Sequence, residues 1–476
     1  MEPKFGFAQN LTRSSFSFGE SNSQSSLFNP NNSSNTPSNE ISSSSSHIKL
    51  ARKHAEPIEK PSILEAIDKI NSDDAMLQRE GLKVLKKGVS REDSSPLIIY
   101  EIISSDICER ILDLAQTKTD NKFLLEALWL FSNILSKSSR EASYLVQLDV
   151  IPFLFSILCK NNNDFSEPVM MAFGNIAADN SEWRELVIND DNFSCIADLC
   201  NNADFSNESF INIYAWSVSN ILRECSEQNP EKLIPFSPFL YRVVVEAQAK
   251  DTLTEATLGC SYLSELEENL EIFKKELFIE KIIRQLSSRK GLLLTASLKI
   301  IRNIVFEMDN SFEILSKYGF FEKIEGLLDH KSRNLRWEVC WTLLNLVAES
   351  TAAIDKLLEN KIFEKLLTII KTDSRDVQTQ ALEIIKISVT VCEENQIIKL
   401  AEIGIIKELI SSLKCKKWRP IIFEALSAVI EKVPYIINDE ENDIIIQSID
   451  DSTGDSDAIE PATSLREVLQ NNRNSS

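Results

Sequence analysis

Glycine is scarce in this chain, with 11 in 476 residues, and long stretches of alternating polar and apolar residues are missing. Sheets joined by tight turns are therefore excluded, and an all-α protein is expected. Histidine is scarcer still, at His47, His54 and His330. None has a Cys or Asp partner spaced for nucleophilic catalysis, and no Gly-rich phosphate loop occurs, so no enzyme, catalytic residue or cofactor is expected. The nine cysteines form an odd set without a CxxC pair. That pattern argues against a disulfide frame or a zinc or other metal site and for reduced, core-filling thiols in a reducing compartment. No uncharged apolar run approaches the roughly 18 residues of a membrane span, and no apolar leader follows a basic start. A soluble intracellular protein is expected. Cations are also in deficit, with Lys+Arg 51 against Asp+Glu 72 and a net charge of -21. Such a surface repels nucleic acid and anionic lipid and attracts cationic partners.

What is present falls into three parts. Residues 1–61 are rich in Ser and Asn, as in "SSNTPSNEISSSSSH", and poor in large aliphatics. They read as a disordered tail, because too little apolar surface is available to offset ordering entropy. Over 62–436, Leu, Ile and Phe recur at i, i+3, i+4 and i+7. Residues 437–476 turn acidic, as in "NDEENDIIIQSIDDSTGDSD", and read as a disordered C-terminal tail with at most one short helix.

The central region is periodic. "EALWLFSNIL" is followed by "VMMAFGNIAAD", "IYAWSVSNILRE", "ATLGCSYLSELEEN", "ASLKIIRNIVFEMDN" and "VCWTLLNLVAES". The equivalent residues Asn133, Asn175, Asn220, Tyr262, Asn303 and Asn345 are 42, 45, 42, 41 and 42 residues apart. Shorter helices of common character lie between them, such as "IPFLFSIL" and "KYGFFEKIEGLL". This step and content predict a right-handed superhelical solenoid of about nine three-helix armadillo repeats with a long concave groove.

Three of the longer helices set a Trp/Asn pair at the edge of the apolar stripe, and Asn175 and Asn303 keep the amide in two more. Trp129 with Asn133, Trp216 with Asn220 and Trp341 with Asn345 stand four residues apart and share a face. In one helix alone, a core Trp and a bridging Asn explain the pair equally well. Recurrence at solenoid spacing favours a groove ladder instead. An Asn there offers donor and acceptor together to an extended peptide. An indole beside it makes a slot for a Lys or Arg stem and a π face for its cation, at about 0.5–2 kcal/mol per contact.

On these motifs the chain resembles the importin-alpha (karyopherin-alpha) family of nuclear import adaptors, from about Ser62 to Ile437. "SDDAMLQREGLKVLKKGVSREDSSP" is similar to the family's first repeat, "FGNIAADNSEWRELVIND" to its third, "CSYLSELEEN" to its fifth and "EVCWTLLNLVAES" to its seventh. The resemblance implies a major site for basic nuclear localisation signals built from Trp129, Asn133, Asn175, Asp179, Trp216, Asn220, Glu255 and Tyr262, with Glu265 nearby. Asp179 would take the key signal lysine. It implies a minor site built from Asn303, Asp309, Glu338, Trp341 and Asn345, with Lys299 between the two sites. Several positions depart from the family. Met171 and Leu258 replace Trp, Lys137 stands where Gly is usual near the lysine pocket, and Ala142 stands for Thr. Repeat eight offers Gln380, Glu383 and Ile387, so preference shifts toward the major site.

The resemblance further implies cargo proteins with Lys/Arg-rich signals as partners, and shuttling between cytoplasm and nucleus through the nuclear pore. Its usual importin-beta-binding basic helix has no counterpart, since residues 1–60 carry only Lys4, Arg13, Lys49, Arg52, Lys53 and Lys60. "FGF" and "FSFGE" (Phe5–Phe7 and Phe16–Glu20) resemble nuclear-pore FG motifs. Two alternatives stay open. One is an armadillo scaffold of the catenin type, although those grooves are basic. The other is an import-regulating paralogue that binds basic peptides without an importin-beta complex.

Overall fold

The computed structural model describes residues 60–89, 96–117, 120–160, 163–223, 230–308, 311–452 and 454–475. All the described helices belong to one unit, Ile58–Ser476. The FG-like motifs and "HIKLARKHAEPIE" lie outside the described residues.

One long helix recurs in each repeat, and each packs on the next. The series is α1 (Ala75–Val89), α2 (Asn121–Leu135), α3 (Ser166–Asp179), α4 (Glu208–Leu222), α5 (Lys250–Leu263), α6 (Gly291–Glu307), α7 (Arg333–Glu349), α8 (Arg375–Val391), α9 (Arg419–Lys432) and α10 (Ile459–Ser475). Two shorter segments precede most of them, as Ser139–Gln147 and Val150–Leu158 precede α3. No strand occurs among the described residues. The fold is an all-α, armadillo-like solenoid.

Local chemistry starts and stops these helices. Asp120 accepts from the Lys122 N–H to cap α2, and Asn207 accepts from the Phe210 N–H to cap α4. Between the first and second helix of five repeats, one residue takes a left-handed conformation: Asp106, Asp149, Gly319, Lys361 and Gly404. Gly404, at φ 100°, adopts it without the Cβ strain a larger residue meets there.

Apolar side chains run through the stack as one core, with Phe131, Phe155, Phe173, Phe236, Phe320 and Phe363 fully buried. Polar groups stitch successive repeats. Ser217 Oγ of α4 donates to the Met170 carbonyl of α3 at 2.7 Å. The buried Arg184 donates from Nε to the Ala177 carbonyl and from Nη1 to the Arg223 carbonyl, so one guanidinium ties the ends of α3 and α4.

Two expectations are corrected. The acidic C-terminus is not a disordered tail but a tenth layer, built from Asp439–Asp450 and α10. Ile445, Ile449, Ala458, Ala462, Leu465 and Leu469 are buried there, and Asn472 Nδ2 donates to the Ile430 carbonyl. The physical reason is that a solenoid's last full repeat exposes an apolar face, which a terminal layer with a polar outer side must cover. The thiols are not all free: Cys159 and Cys195 form a disulfide, with Cα atoms 5.8 Å apart. Stacking of neighbouring outer helices brings together two residues that sequence separation keeps 36 positions apart. Cys108, Cys200, Cys260, Cys340, Cys392 and Cys415 are free, and five of these six are buried.

Candidate peptide-binding face

Nearly all the ladder residues fall on α2 to α7, in the half of each helix nearer its C-terminus. Trp129, Asn133, Asn175, Trp216, Tyr262, Asn303, Trp341 and Asn345 are each half-buried, as expected for side chains at the rim of a core stripe. Asn220 is buried at 4 % exposure. Asp309 lies outside the described residues.

The best-defined slot lies between α3 and α4. The Trp216 ring crosses over Gly174 so closely that a Cβ at 174 would overlap it. This close approach requires glycine there. Beside it, Asn175 Nδ2 donates to the Ser132 carbonyl of α2 at 3.0 Å. One turn on, Asp179 accepts from Ser139 Oγ at 2.9 Å through one oxygen and from Asn180 Nδ2 at 3.1 Å through the other. The carboxylate is thereby held in one orientation beside an indole slot, at the loop that also carries Lys137. Ala142, in the helix that follows, is fully buried and contributes packing.

The amides are less idle than the sequence reading supposes. Asn220 Nδ2 donates to the Trp216 carbonyl of its own helix, and its oxygen accepts from Arg223 Nη2 at 2.6 Å. Asn303 Nδ2 donates to Ser264 Oγ at 2.9 Å. The Asn133 and Asn345 side chains make no hydrogen bond among the described residues. Bridging between repeats and an open polar edge thus coexist in one ladder.

The carboxylates differ in setting. Glu255 accepts from Ser219 Oγ at 2.9 Å. Burial raises its pKa, opposed by the Ser219 hydrogen bond and the Arg223 charge. A carboxyl whose folded pKa is raised loses folded-state stability as pH rises past its unfolded value. Glu255→Gln is therefore expected to stabilise the protein by up to about 1 kcal/mol at pH 7 and to flatten the stability curve between pH 4 and 7. Thermal unfolding across that range checks this; a lower melting temperature for the variant at pH 7 would refute it. Glu265 pairs with Lys299 at 3.4 Å.

The second group of residues converges on a side chain the sequence reading overlooked. Arg302 of α6 places its guanidinium carbon 5.4 Å from the Trp341 ring centroid. Its Nη1 donates to Glu338 Oε2 at 3.0 Å, while Nε and Nη2 reach Asn303 Oδ1 at 3.3 Å. Trp337 meets Trp341 edge-on, with ring centroids 4.6 Å apart. Burial raises the Glu338 pKa, opposed by the charges of Arg302 and Lys299. A signal was available in the sequence: the residue before the ladder position is small at Ser132, Gly174, Ser219 and Ser261 and becomes Arg at 302. In α8, Lys386 bridges Glu383 at 2.7 Å and Glu424 at 3.2 Å.

No cluster of His, Cys, Asp and Glu suited to a metal occurs among the described residues, and no single described helix is long and apolar enough to cross a membrane.

No family model matches the chain. Over 246 residues it is 25% identical to importin subunit alpha-1b of Oryza sativa subsp. japonica, a match covering 52% of this chain and 45% of that relative. Over 194 residues it is 26% identical to importin subunit alpha-2 of Arabidopsis thaliana, covering 41% and 35%. Importin subunit alpha-2 of Caenorhabditis elegans is 23% identical over 222 residues, covering 46% and 41%. The chain thus spans less than half the length of the curated relatives it matches. Among solved structures, an engineered protein aligns with a TM-score of 0.68 at 16% identity, covering 86% of this chain and 99% of that one, which speaks to the fold alone. The chain is importin-alpha-like and divergent.

Proposed function

We propose that this importin-alpha-like chain is a nuclear import adaptor that binds extended, Lys/Arg-rich localisation signals of cargo proteins along α2 to α5. The observation that carries this reading is the slot at Gly174. An indole from α4 packs on α3, which carries an amide and an oriented carboxylate one turn apart, on a strongly acidic protein. That set suits a lysine side chain: the stem packs on the Trp216 face, and the ammonium donates to Asp179. Glu255 and Tyr262 extend the same surface for flanking cations. In this reading the protein shuttles between cytoplasm and nucleus. Importin-beta and nuclear-pore proteins are its transport partners, the former through the FG-like segment.

Fluorescence-polarisation titration with a labelled monopartite basic peptide tests the reading. Saturable binding is expected that weakens between 50 and 300 mM salt, because charge pairs at a partly exposed surface are screened. Absence of binding at low salt would overturn it. The shortage of cations in residues 1–60 favours one second reading, an import-regulating paralogue that takes basic peptides without importin-beta. Pull-down of importin-beta by the full chain separates the two.

A further inference from the structure

The ladder repeats one arrangement twice, with opposite contents. In both places a Trp stands four residues before a ladder Asn, and its ring faces the residue that precedes the ladder Asn of the previous long helix. At α3/α4 that residue is Gly174, which offers no side chain to the Trp216 ring packed over it beside Ser217 Oγ. At α6/α7 it is Arg302, and the ring is Trp341. We infer that Arg302 is a resident ligand, occupying the α6/α7 cation slot so that this chain reads cationic peptides at one site rather than two.

The contacts of Arg302 are those an incoming arginine would need. Its guanidinium lies near the Trp341 face, one Nη donates to a buried carboxylate, and two further nitrogens reach the ladder amide oxygen. The side chain is 17% exposed and Glu338 6%. An external cation would have to displace Arg302, which is covalently tethered and present at a high effective concentration. Displacement would also cost the guanidinium its bonds to Glu338 and Asn303. Neighbouring carboxylates are engaged in the same way, Glu265 by Lys299 and Glu383 by Lys386. The inference rests on the proposal that the acidic, Trp-bearing face binds cationic peptides.

Calorimetric titration of the full chain with a short single-cluster Lys/Arg peptide tests it. One equivalent is expected to bind wild type and two to bind Arg302→Ala, with the second lost again in Arg302→Ala/Trp341→Ala. A two-cluster peptide should bind Arg302→Ala at least tenfold more tightly than wild type. Removing Arg302 strands Glu338, so Arg302→Ala/Glu338→Gln is carried alongside as a variant without the stranded charge, and circular dichroism confirms folding. Failure of both folded variants to gain a second equivalent overturns the inference while leaving the proposed function intact. Two equivalents on wild type, one of them lost on Trp341→Ala, overturns it likewise. Binding to Arg302→Ala but not to wild type upholds the inference and sinks the α3/α4 site. Binding to neither overturns both.

Discussion

Asp179→Lys is expected to weaken binding of a monopartite basic peptide at least 100-fold. Asp179 closes the helix that carries Gly174 and Asn175, the helix on which the Trp216 ring packs. Ser139 and Asn180 occupy one hydrogen-bonding position on each oxygen, which orients the group while leaving acceptor capacity for an ammonium. Losing a charge-assisted hydrogen bond costs about 1.5–3 kcal/mol, and a cation in its place adds repulsion. At 1.4 kcal/mol per tenfold the lost bond is worth about one to two decades, and the repulsion brings the total to about two or more. Glu185→Lys makes the same charge change at an exposed position of the next helix and should shift affinity less than threefold. Asp179→Asn should fall between the two. Equal losses for Asp179→Lys and Glu185→Lys would mean that bulk charge, not this slot, attracts the peptide.

Arg336→Ala is expected to cause the largest loss of stability, about 3 kcal/mol. Arg336, in the first turns of α7, donates from Nε and Nη2 to the two oxygens of Asp373 at 2.5 and 2.6 Å, and from Nη1 to the His330 carbonyl at 2.7 Å. The fork joins α7 to the turn that starts α8. Asp373 is only 6% exposed, so truncating Arg336 leaves a desolvated carboxylate with only the Ser374 N–H and hydroxyl. Burial alone would raise the Asp373 pKa, but the Arg336 hydrogen bond and charge override it and hold the carboxyl below its usual range. Stability from a depressed carboxyl is present above the unfolded pKa and lost as pH falls through the folded one. The wild type should therefore lose this contribution below about pH 4, and Arg336→Ala should show a shallower acid limb. Urea unfolding at pH 7 and pH 3.5 reads both effects. A variant with an unchanged midpoint at pH 7 would show that the fork contributes only register between repeats.

Much of the architecture was legible because it depends on local spacing. The 42-residue step of the ladder residues and the apolar stripe around "FLLEALWLFSNIL" are properties of single helices, and they mark both the helices and the face each one presents. The candidate site was legible to the same depth: Trp129, Trp216 and Trp341 fall at the half-buried rim, where their spacing puts them. The C-terminus was misread because its charge was weighed over its pattern. Ile445 with Ile449 and Leu465 with Leu469 already lie four apart, but only the open end of the preceding repeat makes that stripe worth burying. Cys159 and Cys195 were misread because a disulfide needs two repeats to be stacked before its sulfurs can meet.

By itself the sequence determined that this chain is helical, repetitive and acidic, and that most of the central repeats set an amide or indole at one place on the long helix. It did so because the α-helical period and the repeat length act residue by residue. Only the tertiary structure decided which of those groups stand open. Whether Trp216 covers a glycine and Trp341 faces an arginine depends on side chains some 40 positions apart. Those contacts arise from the stacking of one repeat on the next, and a charge's role follows from the partner that stacking brings to it.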